Sequence, residues 1–375
     1  MKYVAELRDP AAMRGLLDRI AARVTRPWTI MEICGGQTHA IVEHGLLDLL
    51  PPELHLVHGP GCPVCVTPVA VLERARRLAL HPAVTLHTFG DMLRVPGAAG
   101  DLLDARAHGG DVRVVLSPLD AVRAAQAEPE RTHALLAVGF ETTAPTTALA
   151  VELAARLGLE NLVVLASHVR VPPALAQLLG RRREDGAGGI DGLLAAGHVC
   201  TVEGFEGAYP ELAARFGVPV VVTGFEPVDL LRGLLACVAQ LEEGRAEVEN
   251  AYARAVRPEG TPHARAAVER VFEIADVPWR GLGVLPAGGL ALRPAFTRFD
   301  AAARFPDLAG PAEGPAEDPR CRAAEVLQGL LSPAACPELG RACTPEHPLG
   351  APMVSTEGAC AAYHRHRPVP LGRRP

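Results

Sequence analysis

Short apolar runs alternating with longer amphipathic stretches constrain this chain more than any other feature. The runs occupy 29–33, 54–57, 84–86, 112–116, 134–138, 162–166, 192–195 and 219–222. Between them, 69–80, 146–157 and 227–241 carry apolar residues at helical spacing, and a further stretch of that kind, 11–24, precedes the first run. Strands that alternate with helices build parallel sheets from βαβ units. Eight runs within about 200 residues fit two modest sheets better than one. The pattern changes after residue 255: Trp279-Arg280-Gly281-Leu282-Gly283 leads to Ala287-Gly288-Gly289, which reads as a hairpin turn. Residues 305–320, rich in Pro, Gly, Ala and acids, read as a surface linker.

Composition removes several functional classes. The chain has 375 residues, enough for two or three domains, and a net charge of −6 with no clustered basic face for nucleic acid. The Arg181–Arg183 run is expected to be a solvated loop. No stretch approaches the roughly 18 uninterrupted apolar residues of a membrane span. The N-terminus carries early acidic residues and no apolar h-region, so it does not read as a signal peptide, and a cytoplasmic location follows. Lys2 is the only lysine, which excludes the phosphate-binding lysine of a P-loop. Nine cysteines in a reducing compartment point to metal or redox chemistry rather than structural disulfides.

Three of those cysteines fall at strand ends. Cys34 follows the first run and precedes Gly35-Gly36, where paired glycines let the backbone turn sharply, so Cys34 is expected to be exposed. Cys62 and Cys65 lie in Gly-Pro-Gly-Cys-Pro-Val-Cys, which opens a helix. That position favours thiolate through unsatisfied amides and the helix dipole. Three such thiolates can hold a soft metal or exchange a disulfide, and spacing does not separate these uses. Cys200 and Cys237 read as small buried hydrophobes. Cys321, Cys336, Cys343 and Cys360 are separated by fourteen, six and sixteen residues, unlike the close pairs of structural zinc sites. That spacing leaves a [4Fe–4S] cluster and zinc both open.

Two runs end in the same tripeptide, Gly139-Phe140-Glu141 and Gly224-Phe225-Glu226. Ligands of open α/β sheets sit beyond the carboxyl ends of strands, so each glutamate is placed for chemistry or, alternatively, for capping the helix that follows.

The chain resembles the hydrogenase maturation family HypD. The resemblance rests on the segments 34–41, 59–68, 88–97, 139–148, 224–231, 279–283 and 353–363, in family order across nearly the whole chain. It implies an α/β fold of two similar small parallel-sheet domains plus a third, loop-rich domain carrying an iron–sulfur cluster. The implied boundaries are 28–128, 129–233, and 1–27 with 234–375. It implies Cys34, Cys62 and Cys65 as the iron site, His39, Asp91, Glu141 and Thr142 around the same cleft, and Cys321, Cys336, Cys343 and Cys360 as [4Fe-4S] ligands. It also implies a HypC-type chaperone as partner, cyanide delivered by HypE with HypF, and transfer of an Fe(CN)2CO group to a hydrogenase large subunit. Two positions depart from the family pattern. Gln37 stands where a histidine is usual and brings no titrating proton. The usual first cluster ligand aligns with Ala323, two residues after Cys321. A stand-alone iron–sulfur thiol–disulfide oxidoreductase and a zinc-stabilised binding protein are the competing readings.

Overall fold

The computed structural model describes residues 5–180, 189–309 and 317–367. The Arg181–Arg183 run, the first four residues and positions 310–316 of the expected linker lie outside the described residues. All eight apolar runs form strands. They are β1 (Trp28–Glu32), β2 (Leu54–His58), β3 (Val84–Thr88), β4 (Val112–Val114), β5 (Thr132–Gly139), β6 (Leu162–His168), β7 (Gly192–Ala196) and β8 (Val220–Thr223). A short β9 (Val248–Asn250) and the hairpin β10 (Phe272–Trp279) and β11 (Gly283–Leu292) complete the set.

These strands make two parallel sheets and the hairpin. The first has the order β2-β1-β7-β8-β9, and the second β4-β3-β5-β6. Strands such as Val220-Val221-Val222 are buried along their whole length because helices cover both faces. Met31, Leu193 and Val222 of the first sheet share one core with Leu86, Leu136 and Val163 of the second. The outer face of the first sheet packs under helices Pro10–Arg23 and Pro227–Glu242. That of the second lies under helices Pro118–Ala127 and Ala144–Arg156.

The expected domain boundaries do not follow the sheets. The first sheet takes strands from 28–58 and again from 192–250, and the second sheet is inserted between them. A cut at 128 separates β3 and β4 from β5 and β6 of the same sheet, and a cut at 233 falls inside helix Pro227–Glu242. The N-terminal helix packs on Pro227–Glu242, whose residues 234–242 fall within the expected third domain. Parallel strands need crossover connections, and nothing in a crossover's local sequence says which sheet the next strand joins.

The hairpin turn also differs from expectation. It is Arg280–Leu282, with Gly281 and Gly283 at φ of 78° and 84°, whereas Ala287-Gly288-Gly289 lies inside β11. A Cβ at Gly289 would stand 2.5 Å from Val277 and 2.6 Å from the His168 carbonyl, so this glycine lets the hairpin lie against the end of β6. Among the described residues no helix is long and apolar enough to cross a membrane.

Candidate functional site

The parallel register pairs Glu32 with His58, so β1 and β2 end side by side at one edge of the sheet. The segments leaving them meet backbone to backbone. The Gly35 N–H donates to the Gly61 carbonyl (2.9 Å), and a Cβ on Gly61 would stand 2.4 Å from the Cys34 nitrogen. Only glycine allows that approach. Cys34, Cys62 and Cys65 thereby enter one buried cluster with Met31, Ile33 and Val64.

Their chemical state departs from the sequence expectation. Cys34 is only 7% exposed, not open to solvent. Burial, with Glu357 and Glu32 nearby, pushes its thiol up to about 12, so the protonated form dominates. The cover comes from the C-terminal segment, where the Glu357 Cβ and carbonyl lie where a Cβ of Gly35 would sit. Cys62 and Cys65 are joined as a disulfide, with Cα atoms 5.2 Å apart, and are 3% and 0% exposed.

A buried polar network lies under Cys34. Glu32 Oε2 accepts the Cys34 N–H (3.0 Å), and Glu32 Oε1 accepts the Thr38 hydroxyl and pairs with His58 Nδ1 (2.6 Å). His58 Nε2 lies 3.0 Å from the Tyr363 hydroxyl. Gln37 is fully buried, and its amide nitrogen donates to the carbonyls of Ala195 (3.1 Å) and Thr223 (3.2 Å) at the ends of β7 and β8. A neutral imidazole has one N–H to give, so glutamine suits this bridging position for a structural reason.

The other expected residues divide between two places. Asp91 lies in a 3-10 turn beyond β3, and its Oδ2 accepts the Ser355 hydroxyl (2.9 Å). Asp91, Ser355, Glu357, Thr143, Pro63 and Val64 border a cleft of about 330 Å³ beside the disulfide turn. Its carboxylates are a further donor set: burial and then Asp91 raise the carboxyl pKa of Glu357, while His39 opposes the shift. His39 is half-buried, 3.6 Å from Glu43 and edge-on to His366. Thr142 is half-buried in the turn after β5, while its neighbour Thr143 reaches the cleft.

Glu141 faces another cavity of about 330 Å³, lined by Arg170, Glu203, Arg265 and Arg293. Its Oε1 accepts the Val171 N–H (2.8 Å), so it caps helix Val171–Gly180 rather than the helix that follows it. Burial pushes its carboxyl up to about 7. Glu226 pairs with Arg8 and makes no side-chain cap. Cys200 and Cys237 are fully buried, in line with their reading as small hydrophobes.

The C-terminal cysteines converge. Burial raises the Cys360 thiol well above its usual value, and Cys321, Cys343 and Cys336 each add to the shift. The Leu349 N–H points at Cys343 Sγ (3.4 Å), and a Cβ on Gly350 would stand 2.4 Å from Cys321 Sγ. Cys321 therefore belongs with the other three despite its shifted sequence position. Among the described residues no three His, Cys, Asp or Glu side chains close on a single ion. A convergent, half-buried set of four thiols with an amide donor and a glycine-lined wall fits a group wider than one ion. The helix Ala359–His366, which carries Cys360, packs on helix Gly35–Glu43, which follows Cys34, so the two cysteine centres are held by adjacent elements.

Sequence reasoning passed over Glu32, His58, Ser355 and Glu357. An acid inside the apolar run 29–33, directly before Cys34, was the available signal for the first.

Fold and site together define a protein of two interleaved parallel sheets with one cysteine centre at a strand edge and a second in a C-terminal wrap. The family described as "HypD: Hydrogenase formation hypA family" matches residues 11–367. The chain is 47% identical over 371 residues to the "Hydrogenase maturation factor HypD" of Azotobacter vinelandii, covering 98% of this chain and 97% of that protein. It is 43% identical to the protein of the same name in Escherichia coli (strain K12), covering 98% of each. The "Hydrogenase expression/formation protein HupD" of Azotobacter chroococcum mcd 1 is 47% identical, over 98% and 97%. The chain belongs to the HypD family of hydrogenase maturation factors.

Proposed function

We propose that this chain is the cytoplasmic scaffold on which the Fe(CN)2CO group of a [NiFe]-hydrogenase is assembled, in complex with a HypC-type chaperone and supplied with cyanide by a HypE-type protein. The iron is cargo, passed on to the hydrogenase large subunit. The observation that carries this reading is the glycine-mediated contact that seats Cys34 against the Cys62–Cys65 turn, beside a cleft bordered by Asp91 and Glu357. Thiolates suit soft, ligand-rich iron. Cys34 is protonated in its buried setting, so iron takes the place of a proton there, and binding releases that proton. Glu32 holds the Cys34 backbone, which fixes where the sulfur points. Opening the disulfide takes two electrons and two protons and yields the Cys62 and Cys65 thiols. An electron-transfer protein is the expected donor class. The four C-terminal cysteines would hold the [4Fe–4S] cluster, which supplies single-electron storage when bound.

The disulfide itself favours a second reading, a thiol–disulfide oxidoreductase acting on another protein. Its burial weighs against that, because exchange requires an attacking thiolate to reach a sulfur and Cys65 is wholly covered. Infrared spectroscopy of protein purified anaerobically with its HypC-type partner separates the two. Cyanide and carbonyl stretches are expected, and Cys65→Ala should lose them, together with hydrogenase maturation, while keeping its fold and cluster absorbance. Maturation retained by Cys65→Ala would falsify the scaffold reading.

A further inference from the structure

Arg280 is a buried cation wedged between the two cysteine centres. Its backbone N–H donates to the Val66 carbonyl (2.8 Å), one residue beyond Cys65. The next residue, Gly281, packs on the helix Ala323–Leu327 that follows Cys321: a Cβ there would stand 3.0 Å from the Ala324 Cα, and its carbonyl accepts the Gln328 amide (2.8 Å). The residue is 7% exposed. Nε donates to Glu317 (2.7 Å), Nη2 donates to the Pro96 carbonyl (3.2 Å), and Nη1 is buried with no partner among the described residues.

Arginine stays charged at any working pH, and a buried N–H without a partner calls for an explanation. Four thiolates around a four-iron cluster carry net negative charge, which a neighbouring cation stabilises. We propose that Arg280 is a positioning residue for the four-cysteine centre, whose reduction potential its charge raises and the charge of Glu317 lowers. This rests on the reading that the four cysteines hold an iron–sulfur cluster. Glu317, which holds the guanidinium, stands four residues before Cys321 in the chain. Reduction adds one electron to the cluster, and the local charge sets how readily it is accepted.

The test is a redox titration of the full chain, reconstituted anaerobically with ferrous iron and sulfide, with dithionite as reductant and electron paramagnetic resonance as readout. Arg280→Gln should move the midpoint to a more negative value, and Arg280→Lys should restore much of it. Glu317→Gln should move it the opposite way. Midpoints unchanged from wild type in both charge-removing variants, with the cluster present, overturn the inference alone. If Arg280→Gln does not fold, Glu317→Gln carries the test, since its side chain is one-third exposed, and an unmoved midpoint there overturns the inference. Failure of the wild-type protein to take up any cluster overturns the cluster reading and this inference with it.

Discussion

At the scale of single residues, Glu141 has the clearest energetic signature. Its carboxyl is held at about 7 by burial, against 4.5 in the open chain, so the folded state binds this proton more tightly than the unfolded state. The stabilisation is fully present below the unfolded value and is lost as pH rises through the folded one. Between about pH 4.5 and pH 7 the wild-type protein should lose on the order of 3 kcal/mol through this group. Glu141→Gln keeps an oxygen for the Val171 N–H and has nothing to ionise. Urea unfolding across that range should therefore show a flatter pH profile for the variant, and parallel profiles would contradict the assignment. Glu32 offers a contrast: its carboxylate is as deeply buried, yet an imidazole, a hydroxyl and an amide satisfy it.

At the scale of elements, strands and helices are largely legible in the sequence. The stretch 69–80 is a helix with those limits, and all eight apolar runs are strands, because burial on both faces leaves a continuous apolar signature. The state of the cysteines was not legible. Cys34 stands at a strand end in sequence, but the segment that covers it arrives more than three hundred residues later, around Glu357. The spacing of the C-terminal cysteines left their ligand open, and their convergence depends on the path of loops with little periodicity. The family resemblance sets Glu141 around the same cleft as Cys34, yet its carboxylate turns to the helix after β6. The junction of Gly61 with Cys34 is the contact on which the proposed iron site depends. Gly61→Ala must push the two turns apart, at a cost of typically 1–3 kcal/mol. That variant should bind iron far more weakly at the Cys34 site while retaining C-terminal cluster absorbance, as metal analysis and visible spectra can show. Equal iron retention would mean the turns need not touch.

At the scale of the whole molecule, the C-terminal segment joins the main core through Leu327, Ala351 and Val354, and its Leu339, Met353 and Tyr363 form a small apolar cluster with Val42 of helix Gly35–Glu43. A bound cluster would supply much of the order that these contacts do not. Cys343→Ala should lose the cluster absorbance and speed amide exchange through 317–367, and the two sheets should stay protected. Global unfolding in that variant would show instead that the segment and the sheets form one cooperative unit.

The interleaved order of the sheets has a consequence for how the protein is made. β1 and β2 leave the ribosome as a bare pair, and their neighbour β7 follows only after 133 further residues, from 59 to 191. At about 5–20 residues per second, that wait lasts roughly 7–27 seconds. During it the second sheet can close completely, while the nascent first sheet offers an unpaired apolar edge to the cell. Newborn chains should therefore depend on protective chaperones most in this interval, before the last strands of the first sheet emerge.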